Sequence, residues 1–161
     1  MDTSVILSIV KESLFVIVVF GAFFAYALIR GRQSITNIIL GLYLALLIML
    51  EFPYFDFVLK QVHSARSESI VMISMFAAFA VLATVLFSRL MPREYDEKMF
   101  EGFGKKFMFA VAATALVMAY SYHVLPITEL VDPGSPIQSL FSDERWFFGW
   151  LIVPLILLFL F

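Results

Sequence analysis

Long apolar runs broken by short polar gaps dominate this chain. The sharpest break is Arg30-Gly31-Arg32, where one run ends at Ile29 and the next begins almost at once. Two such runs joined by a short basic turn predict a transmembrane helical hairpin, its turn held at one membrane face. The first helix is expected over about 5–29. A span needs roughly 20 apolar residues, and 14–29 supplies 16, so the preceding turn must join it. Lys11 and Glu12 then fall near the interface, where a lysine can snorkel. A rival reading makes 14–24 the core of a secretory signal, with Ala25-Tyr26-Ala27 as its cleavage site. The lack of a basic residue before Lys11, and the arginines directly after the site, disfavour it.

The second helix is expected over about 34–51, with Thr36 and Asn37 in its first turn, where polar side chains can satisfy free backbone groups. Glu51 closes it and Pro53 prevents continuation. In 54–63, Phe55, Val58, Leu59 and Val62 recur at helical spacing, and Asp56 and Lys60 pair four residues apart. That predicts a short interfacial helix, with an aromatic-rich loop as the alternative. The third helix is expected over about 69–90; its stretch 70–88 carries no charge, and Pro92 marks the exit.

Residues 92–106 hold the densest cluster of charge in the chain, eight of its 24 charged residues. Tyr95, Met99, Phe103 and Phe107 recur every four residues, beside the pairs Glu94–Lys98 and Glu101–Lys105. The pattern predicts an amphipathic helix on the membrane surface, loosened at Gly102 and Gly104; a solvated loop is the alternative. An alanine-rich fourth helix comes next, over about 107–125. The prolines and acidic residues of 126–145, with the turn signal Asp132-Pro133-Gly134-Ser135, predict an external loop. Ser142 or Asp143 can cap the last helix. This fifth run, about 146–161, is 16 residues, or about 24 Å of helix, short of the ~30 Å core. It either thins the bilayer locally or stops short of crossing. Trp146 and Trp150 suit an interfacial anchor, and Pro154 predicts a kink.

Composition agrees. Of 161 residues, 62% are hydrophobic and 15% charged, with mean hydropathy +0.96. Soluble domains carry about 25% charge, so the solvent here is lipid. The expected fold is an all-α integral membrane bundle of four transmembrane helices plus a fifth short C-terminal apolar segment, in one membrane domain spanning 1–161. A net charge of −2 gives a nucleic-acid partner no support. The absence of Cys removes disulfides, thiolate metal sites and cysteine catalysis.

Basic residues predict the orientation. Arg30 and Arg32 sit in the first loop; Arg89, Arg93, Lys98, Lys105 and Lys106 sit in the third. The second loop holds Lys60 and Arg66, and the fourth only Arg145. The loops at about 30–33 and 91–106 are therefore expected in the cytoplasm, with the N-terminus outside.

Candidate chemistry is sparse. Ionisable groups appear only near the ends of the spans, which weighs against autonomous coupled transport. His63 and His123 lie on distant segments with no ligand-spaced neighbour, so no metal site is expected. Tyr120-Ser121-Tyr122-His123 reads as an interfacial polar cluster rather than a ligand site. No nucleophile motif appears, and Gly102-Phe103-Gly104 is no nucleotide loop. No catalytic residue, metal ligand or cofactor is assigned, and the chain is not read as an enzyme.

Small residues recur at four-residue spacing: Gly21 and Ala25, Gly41 and Ala45, Ala80 and Thr84, Ala115 and Ala119. They predict close helix packing, within the chain or against other subunits. A second set, Arg30, Gly31, Arg32, Glu97, Lys105 and Lys106, is a candidate docking surface for a partner. Glu94, Asp96 and Glu101 lie among the basic residues, and such mixed charge suits a specific partner better than a purely anionic lipid surface.

The first hairpin resembles the colicin V production protein (CvpA) family of bacterial inner membranes. The residues that carry the resemblance are Glu12, Arg30, Gly31, Gly41 and Ala45, with Gly102, Gly104, Lys105 and Lys106 before the fourth helix. It covers roughly 10–125; the external loop and 146–161 depart from that family's four-helix pattern. The resemblance implies a role in peptide export or envelope maintenance in the inner membrane, with no established catalytic residues. The leading expectation is a non-enzymatic structural or accessory subunit of a membrane assembly. Its partners would be the lipid bilayer and other membrane subunits or further copies of itself. A small oligomeric channel or transporter is the alternative, and a lipid-modifying enzyme comes third.

Overall fold

The computed structural model describes residues 3–60, 64–91, 102–125, 141 and 143–160. All regular structure among the described residues is helical: α1 (Thr3–Arg30), α2 (Arg32–Leu50), α3 (Phe55–Leu59), α4 (Ala65–Leu90), α5 (Phe103–His123) and α6 (Glu144–Leu160). Four of these, α1, α2, α4 and α5, are long and apolar enough to cross a membrane, and α6 is a shorter apolar helix. The chain is an all-α, multi-pass membrane protein.

The helices form as the apolar runs require, but several ends move. α2 begins at Arg32, because one residue, Gly31, makes the whole turn. α5 begins at Phe103 rather than about 107. Gly102, at φ 69°, takes the left-handed conformation that breaks the backbone just before it. Phe103 to Lys106 thus belong to the span, not to a surface helix. The rest of that expected amphipathic stretch, 92–101, lies outside the described residues, as does 126–140. α3 covers only five residues of the interfacial segment. α6 has 17 residues, about 26 Å, still short of the ~30 Å core.

α2 and α5 form the centre. α2 packs on α1, α4 and α5, and α5 packs on α1, α2 and α6. The α1–α5 seam is a zipper of rings. Phe24 meets Phe103 at 5.4 Å and Phe107 at 5.8 Å, and Phe20 meets Phe107 at 5.4 Å. Two aromatics four residues apart on each helix make this an antiparallel match. Phe103 and Phe107, whose four-residue spacing suggested a surface face, point into this seam. The α2–α4 seam closes where glycine permits it. A Cβ on Gly41 would stand 2.9 Å from the Thr84 backbone nitrogen, so any larger residue collides with the facing helix.

The contacts also sort the helix ends. Gln33 reaches Met91, and Phe24 reaches Phe103, so the ends carrying Arg30, Arg32, Arg89, Lys105 and Lys106 are neighbours. His123 stacks on Phe147 at the opposite end.

Candidate helix interfaces and polar interior

The hairpin turn is built from one special backbone position. Gly31 has φ 84° and ψ 173°, a region essentially restricted to glycine. Its N–H donates to the Ala27 carbonyl at 3.0 Å, and the Ser34 hydroxyl donates to the Arg30 carbonyl at 3.0 Å. Ser34, not Thr36, therefore satisfies a carbonyl left over at the end of α1. Gln33 Nε2 donates to Asn37 Oδ1 at 3.3 Å and lies 3.2 Å from Met91 Sδ, tying the start of α2 to the end of α4.

The candidate docking residues divide here. Arg30 and Lys105 are exposed, and Gly31 and Arg32 are half-buried. Lys106 is fully buried, so its ammonium is not offered to a partner. Glu97 lies outside the described residues. Lys106 points inward because it lies on the face of α5 that carries buried Phe109, Ala110 and Ala113.

The small-residue pairs divide as well. Gly41 and Ala45 are buried at the α2–α4 seam, and Ala119 is fully buried. Ala115 is half-buried on α5. Gly21 and Ala25 are exposed, and nothing of this chain lies within 4 Å of a Cβ on Gly21.

The interior is polar in a way that the spacing of motifs did not signal. Asn37, Ser69, Thr114 and Ser121 are buried with Lys106. Thr114 Oγ1 donates to the Ala110 carbonyl at 2.7 Å. Tyr43, in the middle of α2, donates its hydroxyl to the Leu151 carbonyl on α6. Pro154, buried within the helix, has no N–H for the Trp150 carbonyl four residues back, so the carbonyl that Tyr43 reaches is the next one along. Neighbouring helices commonly supply donors near a proline in a transmembrane helix, and Tyr43 gives its hydroxyl to the turn that precedes Pro154.

Tyr120 corrects the reading of the Tyr120–His123 cluster as interfacial. Its ring is fully buried and meets Phe76 of α4 edge-on at 5.7 Å. Its hydroxyl is the buried side-chain oxygen among the described residues that lacks a hydrogen-bond partner. Ser121 is buried too, while Tyr122 and His123 are half-buried. His123 stacks on Phe147 of α6 at 4.1 Å, and Tyr122 stacks at 6.4 Å on Phe141, which itself meets Trp150 of α6, so this end of α5 is tied to α6 by rings. A single Tyr inside an apolar run was the signal available for Tyr43. Nothing in the spacing distinguished Tyr120 from Tyr122. Among the described residues no three His, Cys, Asp or Glu side chains approach as metal ligands would, and His63 lies outside them.

Two apolar depressions on the flanks are lined by described residues. One, of about 580 Å³, lies on α4 along Ala77, Ala78, Val81, Leu82 and Val85. The other, of about 270 Å³, lies over α5 between α1 and α6.

No protein-family model matches the chain, and neither a curated protein nor a solved structure matches it. The bundle itself offers close helix seams, an interhelical hydrogen bond in the turn before a proline, and apolar depressions on its flanks.

Proposed function

We propose that this chain is a non-enzymatic structural or accessory subunit of a membrane assembly. The observation that carries the reading is the state of α4. It packs mainly on α2, and its opposite face is a concave apolar strip of small and β-branched residues, Ala77, Ala78, Val81 and Val85. Such strips let another helix approach closely, which drives association in lipid. The basic residues gathered at one end of the bundle support a cytoplasmic placement of that end. Exposed Arg30 and Lys105 would then supply the charged rim of a contact. The resemblance of the hairpin to the colicin V production protein family favours peptide export or envelope maintenance in a bacterial inner membrane as the setting.

The test uses the absence of native cysteine. Ala78→Cys on α4 and Leu14→Cys on the exposed face of α1 are placed singly in the chain and cross-linked in native membranes. The expected result is a discrete adduct with another subunit from position 78 and none from position 14. Equal, diffuse labelling at both positions would show that α4 faces only lipid.

A second reading, a small oligomeric channel or transporter, is favoured by one observation. The proline-containing α6 brings a backbone carbonyl to a tyrosine hydroxyl in the middle of the bundle. Polar contacts to helix backbone near the middle of the membrane line the substrate sites of many transporters.

A further inference from the structure

We infer that the groove over α5 between α1 and α6 is a seat for one acyl chain of a phospholipid. α1 and α6 both lean on α5, and the space they leave between them is the groove. Its floor is Val111, Thr114, Ala115 and Met118; Val16 of α1 and Trp150 of α6 stand on its two banks. Thr114 is the polar residue of the floor, and its hydroxyl is already spent on the Ala110 carbonyl. An occupant therefore meets hydrocarbon alone, so water and polar headgroups gain nothing there.

Continuity with the bilayer selects the occupant. Ile17, next to Val16, is 66% exposed, and Val153, one turn beyond Trp150, is 47% exposed. Both banks therefore run directly into surface that faces lipid, and a chain from the adjacent leaflet enters without crossing anything polar. The floor runs from Val111 to Met118, about 10 Å along the helix axis, against the roughly 15 Å depth of one leaflet. A helix, about 10–12 Å across with its side chains, is too wide for a groove of about 270 Å³. A single acyl chain has the right girth.

Trp150 is a built-in reporter. Trp146→Phe leaves Trp150 as the single tryptophan, and Trp150→Phe leaves Trp146, which is exposed, as the control. Both proteins are reconstituted in phosphatidylcholine vesicles containing a small fraction of phosphatidylcholine brominated on its acyl chains. Trp150 fluorescence should be quenched several-fold more than the bulk fraction of brominated lipid predicts, while Trp146 follows the bulk. Adding Ala115→Phe, which fills the floor, should return Trp150 to bulk behaviour. Val111→Phe, at the more exposed end of the floor, serves the same purpose if Ala115→Phe fails to fold. Quenching of Trp150 equal to that of Trp146 and insensitive to both substitutions would show ordinary solvating lipid and overturn the assignment. Quenching below the control that rises as protein is diluted would show a second copy covering the groove, and overturns it as well. The outcome is independent of whether α4 docks another subunit.

Discussion

α4 and α5 are both uninterrupted spans of similar length, yet the bundle treats them oppositely. Of the residues in the span of α5, 56% are buried, against 11% for α4 and 6% for α1. α4 is the most apolar of the four spans and α5 the least. In water the most apolar element goes inside, because burial removes it from the solvent. Lipid tails are as apolar as leucine, so that force is absent between helices. Burial goes instead to the helix that packs most closely. α5 offers Ala110, Ala112, Ala113 and Ala119, with Thr114 and Ser121 keeping their hydroxyls away from lipid. α4 turns Val81, Leu82, Val85 and Leu86 outward.

Gly41 and Gly21 set this contrast at single positions, and Gly41→Leu should destabilise the bundle most. The new side chain meets the backbone of Thr84, which cannot rotate away, so the α2–α4 seam must open. Overpacking costs about 1–3 kcal/mol and more where the backbone must shift. Thermal unfolding in mild detergent should show a clear drop in Tm. Gly21→Leu, on the bare face of α1, should leave Tm within experimental error. A matching drop at both positions would mean that α1 is also covered, by a partner that survives extraction.

A smaller effect is expected at the turn. Gly31→Ala places a side chain at φ 84°, and residues held in such regions cost about 1–3 kcal/mol. Nothing lies within 4 Å of the new Cβ, so the cost is conformational, not steric, and a surface turn relaxes part of it. Gly104→Ala is the partner experiment. Gly104 is helical, exposed and unobstructed, so alanine should raise stability by about 0.4–1 kcal/mol through the unfolded chain. The two substitutions add the same methyl group and should move Tm in opposite directions. Movement in the same direction would mean that the turn is not a one-residue hinge.

The spans, the hairpin turn and the close approach at Gly41 were legible in the chain, because each rests on a local property. Run length sets a span, a glycine between arginines sets a turn, and a missing Cβ permits an approach. The partner of each seam was not legible. Gly41 and Thr84 were separately recognisable as small residues, but nothing in either helix says that they meet. Phe103 and Phe107 show the same limit. Their four-residue spacing identifies a helical face, and the same spacing serves a membrane surface or a seam with Phe20 and Phe24. Lys106 looked like a surface charge because lysine usually is one. Its burial depends on where α5 sits among its neighbours. The polar interior was hardest to read, since a tyrosine in an apolar run counts as apolar until its hydroxyl has a place.

That place supplies the finest test, because the two central tyrosines differ in one respect. Tyr43 gives its hydroxyl to the Leu151 carbonyl, whereas Tyr120 has a buried hydroxyl with no partner among the described residues. Phenylalanine removes only the oxygen from each and leaves the ring packing intact. Tyr43→Phe should cost about 0.6 kcal/mol and at most about 1.7 kcal/mol, the range for hydrogen bonds between membrane helices. The loss should appear as earlier release of α6, because the lost bond is its tie to α2. A cysteine at Phe159, exposed near the far end of α6, reports that release as faster thiol labelling on warming. Tyr120→Phe removes an oxygen that is desolvated without compensation, so Tm should rise slightly. Opposite signs would establish that the Tyr43 hydroxyl braces α6 at Leu151, in the turn before Pro154, while the Tyr120 hydroxyl is an uncompensated burial. If Tyr120→Phe instead lowers Tm as far as Tyr43→Phe does, its hydroxyl holds a buried water or a backbone carbonyl. The polar centre then extends from α2 and α6 across to α5, a wider stripe than one braced carbonyl, and the channel reading gains at the expense of the accessory subunit.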